Sequence, residues 1–324
     1  MKFLVTGGCG FIGSHLCDDL LRLGHQVRIF DNMSTGQLSN KPAGAELIEG
    51  DIRDRIALGR ALADVDGCFH LAAVASVAES NRNWIETHEI NQTATIALFD
   101  LARATANACY PKPIVYASSA AVYGDHGSRP ITERASAEPL SAYGADKLGC
   151  DHHARVARHV HGVPVTGLRF FNVYGPRQRP ESPYSGVISI FCDRLAAGES
   201  VTIFGDGHQT RDFIYVSDVA NALILAMDRV STSVLMDRSS VDPLVLNICT
   251  GRQTSIRALA TLISQLLGKI PRWSYQPERP GEIRTSVGDP TKAREVLGFS
   301  ANTPLESGLA ATLQSVMRDE PALT

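Results

Sequence analysis

Seven cysteines (Cys9, Cys17, Cys68, Cys109, Cys150, Cys192 and Cys249) are scattered singly along 324 residues, and no two form a C-x-x-C pair. An odd count without a spacing framework speaks against a disulfide-stapled secreted fold and fits reduced thiols in a cytoplasmic protein. The formal net charge is −3, with no basic block and no lysine-rich tail, so the electrostatic signatures of nucleic-acid and anionic-membrane binding are missing. Apolar runs stop far short of the roughly 20 residues that span a bilayer. The opening MKFLVTGG has too few apolar residues before its threonine and glycines for a signal-peptide core. No internal repeat or low-complexity tract is present. The histidines of DHHARVARHVH, including His152, His159 and His161, lack H-x-x-x-H spacing and a converging acidic partner. A solvated helix face accounts for them, and no metal is expected.

What is present is a rhythm. KFLVTGG, QVRIFDN, AELIEGDI, GCFHLAA, PIVYASSAAVYG and VPVTGLRFFNVYG read as six strands, separated by helical patterns such as FIGSHLCDDLLRLGH and EINQTATIALFDLARATA. Alternation at this spacing predicts an α/β fold: a Rossmann-type doubly wound parallel sheet with helices on both faces. Beyond Asn172 the rhythm breaks, and GPRQRPESPYSG reads as loop. FIYVSDVANALILAM then reads as a strand or turn followed by a helix that returns to the sheet. The expected division is therefore a dinucleotide-binding domain over residues 1–172 and about 214–246. A smaller mixed α/β substrate domain would take about 173–213 and 247–324.

TGGCGFIGSHL follows the first strand directly and opens the first helix. Gly7 and Gly10 allow a tight turn and close approach to a pyrophosphate, Gly13 allows helix to pack on strand, and the helix N-terminus faces the negative charge. Asp31 ends the second strand, where a carboxylate binds adenosine ribose hydroxyls and repels a 2′-phosphate. No arginine follows it directly, so NAD is expected rather than NADP. Asp51, in GDI, is placed to accept from the adenine amino group, or simply to cap a helix. The small residues of HLAA allow the cofactor close. Phe11, Ile12, Asn32, Ile52, Leu71, Ala72, Ala73, Asn91 and Phe170 complete the expected cofactor surroundings.

SAYGADKLGCD places Tyr143 and Lys147 at i and i+4, on one helix face, with Ser141 as a plausible N-cap. Taken alone, that spacing is common. It gains meaning because TGGCGFIG, HLAA, SSAAVYG, YGADK, RFFNVYGPRQ and GDGHQTRDFIYVSDVA occur in this order from Lys2 to about Gly308. The chain resembles the extended short-chain dehydrogenase/reductase superfamily, in its nucleotide-sugar epimerase/dehydratase branch. The resemblance implies a catalytic set of Ser119, Tyr143 and Lys147, with Ser118 the lesser alternative to Ser119. Tyr143 would be the general acid and base. A free tyrosine ionises near pH ~10, and a lysine ammonium one turn away favours the phenolate. Lys147 would also bind the nicotinamide ribose. The implied reaction is transient oxidation at sugar C4, through a 4-keto sugar, with 4-epimerisation as the net result.

The resemblance further implies a UDP-sugar substrate, contacted by Asn172, Arg211, Arg279 and Glu282, with the two arginines clamping the diphosphate through their forked donors. Dehydratases of the branch carry an Asp-Glu pair after the catalytic hydroxyl, whereas Ala120 and Ala121 stand here, so elimination is not expected. Ser286, seven positions after Arg279, falls where a tyrosine restricts relatives to plain hexoses. That implies room for UDP-N-acetylglucosamine as well as UDP-glucose. A UDP-glucuronate 4-epimerase or decarboxylase is the alternative within the enzyme class, and a catalytically inactive NAD-binding regulator is the alternative outside it. The family's dimer implies a homodimer built as a four-helix bundle from INQTATIALFDLARATA and the helix carrying Tyr143.

Overall fold

A computed structural model describes residues 1–104, 110–180, 186–236, 244–278 and 283–319. Six strands of its main sheet come from the first half of the chain: β1 (Lys2–Thr6), β2 (Gln26–Asp31), β3 (Glu46–Glu49), β4 (Gly67–His70), β5 (Ile114–Ser119) and β6 (Val165–Phe170). The seventh is β11 (Leu244–Ile248), and the order β11-β6-β5-β4-β1-β2-β3 is parallel throughout. Strand order reverses between β1 and β4, and in such sheets ligands bind beyond the carboxyl ends at that point.

Both faces are covered, which is why the strands are apolar almost without alternation. On one face α1 (Phe11–Arg22) and α8 (Val216–Met236) pack Leu16, Leu20, Val219, Leu223 and Met227 onto Val5, Ile29, Phe69 and Leu168. The other face carries α2 (Arg55–Leu62), α5 (Ala94–Leu101) and α6 (Ala142–His161), with Leu58, Leu98, Phe99 and Ala154 over Leu4, Phe30 and Ile114. Two short helices, α3 (Val77–Arg82) and α4 (Trp84–His88), lead into a π-helical turn at Glu89–Thr93 before α5. The single long helix that EINQTATIALFDLARATA predicts is therefore an irregular turn followed by a regular one.

The sixth predicted strand divides at Phe171. β6 stays in the main sheet, while β7 (Asn172–Tyr174) pairs with β10 (Phe213–Tyr215). From there a second lobe forms around α7 (Val187–Ala196), β8 (Val201–Phe204), β9 (Thr210–Arg211), β12 (Thr254–Ser255), α9 (Ile256–Leu266), β13 (Trp273–Gln276), β14 (Thr285–Ser286) and α11 (Leu305–Asp319). Its core holds Tyr174, Phe191, Ile203, Leu259, Ile263 and Leu309. The lobes interleave: Ala293 of α10 (Thr291–Leu297) and the following Phe299 pack in the main-sheet core.

Asp151, on α6, ties that helix to the sheet. It accepts from Tyr116 Oη at 2.8 Å and from Arg169 Nε at 2.9 Å. Arg169 donates onward to Tyr123 Oη at 2.9 Å, and Tyr123 Oη donates to Asn247 Oδ1 at 2.6 Å. Asp151 and Arg169 are both buried, each 7% exposed. Removing one member of such a pair strands the other's charge. Arg169→Leu is expected to lower stability by about 3–5 kcal/mol, against about 1–3 kcal/mol for Tyr116→Phe. Urea unfolding of both variants measures the difference, and equal losses would contradict this account of the network.

Candidate active site

α6 begins where three acceptors meet its free N–H groups. Ser141 Oγ accepts from Gly144 N at 3.1 Å, Ser80 Oγ from Tyr143 N at 3.1 Å, and Asn81 Oδ1 from Ala142 N at 3.1 Å. The Ser141 cap is the one the sequence predicts. Gly144 then lies so close to the turn after β5 that a Cβ there would sit 2.5 Å from the Ala121 carbonyl oxygen. This contact brings the start of α6, with Tyr143, against the turn that Ser119 caps by accepting from Ala121 N at 3.1 Å. Lys147, 3% exposed, donates from Nζ to the Ala117 carbonyl at 3.0 Å and lies 5.9 Å from the centre of the Tyr143 ring. Among the described residues its other two N–H donors are uncommitted. Ser118 Oγ, beside Ser119, is buried with no hydrogen-bond partner among the described residues.

Ala117 is also part of the wall of a cavity of about 300 Å³ at the strand-order reversal. Gly7, Gly10, Phe11, Ile12 and Gly13 border it from the glycine loop and α1, Asp31, Asn32, Asp51 and Ile52 from the ends of β2 and β3, and Leu71, Ala72 and Ala73 from the end of β4. Gly7 adopts φ +69°, and a Cβ on it would lie 2.8 Å from Ala72 N, so only glycine fits this crossing. Gly10 caps α1 without any side chain, leaving first-turn N–H groups for an anion.

Asp31 accepts from Cys9 N and Met33 N, each at 2.9 Å, one on each carboxylate oxygen. Each oxygen keeps a lone pair for a ribose hydroxyl. Asp51 is engaged by Arg53 Nη2 at 2.7 Å, and this hydrogen bond holds its carboxyl below the usual range. A glycine cradle, uncapped helix N–H groups and a carboxylate at the end of β2 together fit an adenine dinucleotide. These residues would hold it, and its nicotinamide would then lie towards Lys147.

Four residues expected at the cofactor, Asn91, Phe170, Tyr143 and Lys147, are not among those that border this cavity. Asn91, 1% exposed, spends its amide on Val74, accepting from the backbone N at 2.8 Å and donating to the carbonyl at 3.0 Å. It holds the loop that borders the cavity without bordering it itself. Phe170 is packed in the main-sheet core. Of the expected substrate residues, Arg211 and Ser286 are register partners in the β9–β14 pair, and the Asn172 N–H donates to the Asp212 carbonyl at 3.0 Å. Arg279 and Glu282 lie outside the described residues.

Sequence reasoning did not single out Asp212 or His70. The Asp212 carboxylate accepts from Thr250 N at 2.9 Å, Thr250 Oγ1 at 2.7 Å, Gly251 N at 2.8 Å and Gly288 N at 3.3 Å, locking the segments that carry Arg211 and Ser286 together. Burial pushes its carboxyl up, against the pull of those donors. RDF marks it only as one more acid beside an arginine. His70, at the end of β4, bridges Thr6 Oγ1 at 2.8 Å and Thr95 Oγ1 at 2.9 Å.

Beta strands and a glycine-opened helix around this cleft define a dinucleotide-binding α/β protein, with Lys147 of α6 bonded to Ala117 in the cleft's wall. The chain belongs to the NAD-dependent epimerase/dehydratase family, whose model matches residues 3–238. It is 37% identical to a putative UDP-glucose 4-epimerase of Methanocaldococcus jannaschii, over 94% of this chain and 95% of the relative. The crystal structure of UDP-glucose 4-epimerase with UDP-glucose from Thermotoga maritima superposes with a TM-score of 0.89 at 36% identity, covering 98% of this chain and 99% of that one. A UDP-N-acetylglucosamine 4-epimerase from Methanobrevibacter ruminantium, in complex with UDP-N-acetylmuramic acid, gives 0.89 at 34% identity, with 98% of each chain covered.

Burial, reinforced by the Lys147 charge, lowers the His70 pKa from 6.5 to about 3. The native ring stays neutral where the unfolded ring takes a proton, so its contribution is intact above pH ~6.5 and lost as pH falls from there towards ~3, at about 1.4 kcal/mol per unit. In His70→Gln the slope of unfolding free energy between pH 6 and 4 is expected to flatten by about that amount. Denaturant titrations across this range measure it, and an unchanged slope would refute the assignment.

Proposed function

We propose that the protein is a UDP-sugar 4-epimerase that keeps its NAD through the cycle and accepts UDP-N-acetylglucosamine, UDP-glucose or both. The observation that carries this is that α6 brings Tyr143 and Lys147 up to the turn capped by Ser119, with Lys147 bonded to Ala117 of the cavity wall and no carboxylate on the Ala120–Ala121 turn. Bound NAD supplies a reversible hydride acceptor at sugar C4. Tyr143 takes the proton from the C4 hydroxyl and later returns one to the 4-keto sugar. Ser119 hydrogen-bonds the same oxygen in both steps. Lys147 holds the nicotinamide ribose and places its charge one turn from the phenol.

The diphosphate is held by Asn172, Arg211 and Arg279, and the uridine ribose by Glu282. Ser286, beside Arg211 in the β9–β14 pair, leaves space for an acetamido group. Alanines at 120 and 121 offer no acid or base for elimination, which disfavours a dehydratase. The intact Ser-Tyr-Lys set disfavours an inactive regulator. The dividing line between the cofactor and substrate lobes falls near Asn172, with α8 and β11 returning to the first. Two copies pair through α5 and α6 into a four-helix bundle, in the cytoplasm.

Among the described residues six cysteines are free, no helix is long and apolar enough to cross a membrane, and no cluster of three His, Cys, Asp or Glu could hold a metal.

Incubation with UDP-glucose, UDP-N-acetylglucosamine and UDP-glucuronate separately, resolved by NMR, tests the reading. A galacto-configured product without net cofactor reduction is expected from at least one of the first two. Turnover of UDP-glucuronate alone would transfer the assignment to that substrate, and silence with all three in the presence of NAD would refute the proposal. Tyr143→Phe is expected to lower kcat by about 10²–10⁴-fold with NAD still bound, as followed in the same assay.

A further inference from the structure

The segment after β7 does not stay with the second lobe. It runs back across the chain to α1, where His15 Nε2 donates to the Pro176 carbonyl at 3.0 Å and Arg177 Nη1 lies 2.7 Å from Asp18 Oδ2. His15 and Asp18 are three residues apart on α1, so one face of that helix holds both anchors. This is the helix whose N-terminus opens at the glycine loop.

Arg177 stands at φ +67°. A residue with a Cβ persists in that region only where its surroundings hold it there, and such positions concentrate at ligand clamps. Arg177, Gln178 and Arg179 all border the dinucleotide cavity. Gln178 donates from Nε2 to the Val173 carbonyl at 3.4 Å, and its Oε1 is buried with no hydrogen-bond partner among the described residues. A strained cation and an unsatisfied amide oxygen thus face the same cavity as the uncapped N–H groups of α1.

We propose that residues 176–179 form a strap that retains the dinucleotide. It rests on the reading that NAD resides in this cavity. Arg177 supplies positive charge for the cofactor's diphosphate, and Gln178 supplies a buried acceptor. His15 and Asp18 hold the strap down on α1, so the cofactor leaves only when these two contacts open. Retention of NAD is then a property of a link between the two ends of the nucleotide fold, in addition to the glycine loop.

The test is cofactor release, measured apart from turnover. Full-length wild type, Asp18→Asn and Arg177→Gly are loaded with NAD. Dissociation is then followed by exchange against isotopically labelled NAD and mass spectrometry of the released nucleotide. Arg177→Gly relieves the backbone conformation while deleting the side chain, so its folding is not penalised. Asp18→Asn acts on a half-exposed side chain and leaves Arg177 in place. Both variants are expected to release NAD about tenfold faster or more, with wild-type circular dichroism. Release at the wild-type rate from both would overturn the strap. So would a wild-type chain that exchanges NAD within the mixing time, and epimerisation with added NAD would then leave the catalytic proposal standing.

Discussion

A lysine ammonium buried at the end of a parallel sheet is the constraint on which the site depends. Lys147 is 3% exposed, and its hydrogen bond to the Ala117 carbonyl fixes how far α6 can sit from β5. A charge in that position must be compensated or it expels itself from the interior. Its surroundings meet the demand in part by staying uncharged: burial and the lysine itself keep His70 neutral, so no second cation competes. One turn further along α6, Asp151 meets Arg169 rather than Lys147. The same helix face thus carries a buried ion pair and, one turn earlier, a buried lysine.

The second lobe is organised around an opposite charge. Asp212 is fully buried and gathers donors from residues 250, 251 and 288. Those donors determine where β9 meets β14, and hence that Arg211 and Ser286 are neighbours. A carboxylate with four donors tolerates burial that an unpaired one would not.

Much of the nucleotide end was legible in the sequence because its determinants are contiguous. A strand, three glycines and a helix succeed each other within a dozen residues. Asp31 and HLAA are strand-end residues, which any parallel sheet delivers to the same edge. Asn91 was harder. Its amide is consumed by Val74, seventeen positions away, and a π-helical turn sets its direction, which sequence periodicity does not display. VPVTGLRFFNVYG reads as one strand because nothing in its apolar run marks the change of partner at Phe171. That change follows from competition between β11 and β10 for the two halves, a non-local matter.

Local chemistry settled the strand and helix rhythm, the Ser141 cap, the Tyr143–Lys147 spacing and the glycine loop, because each depends on residues within a turn or two of one another. Tertiary structure alone decided the rest. It placed Arg177 against Asp18 and Pro176 against His15, 161 positions apart, it put Gly144 within contact of the Ala121 carbonyl, and it gave Asp212 its four donors. Such contacts depend on how whole elements pack, and packing responds to the shape and volume of distant neighbours, which a linear pattern of residue types does not encode.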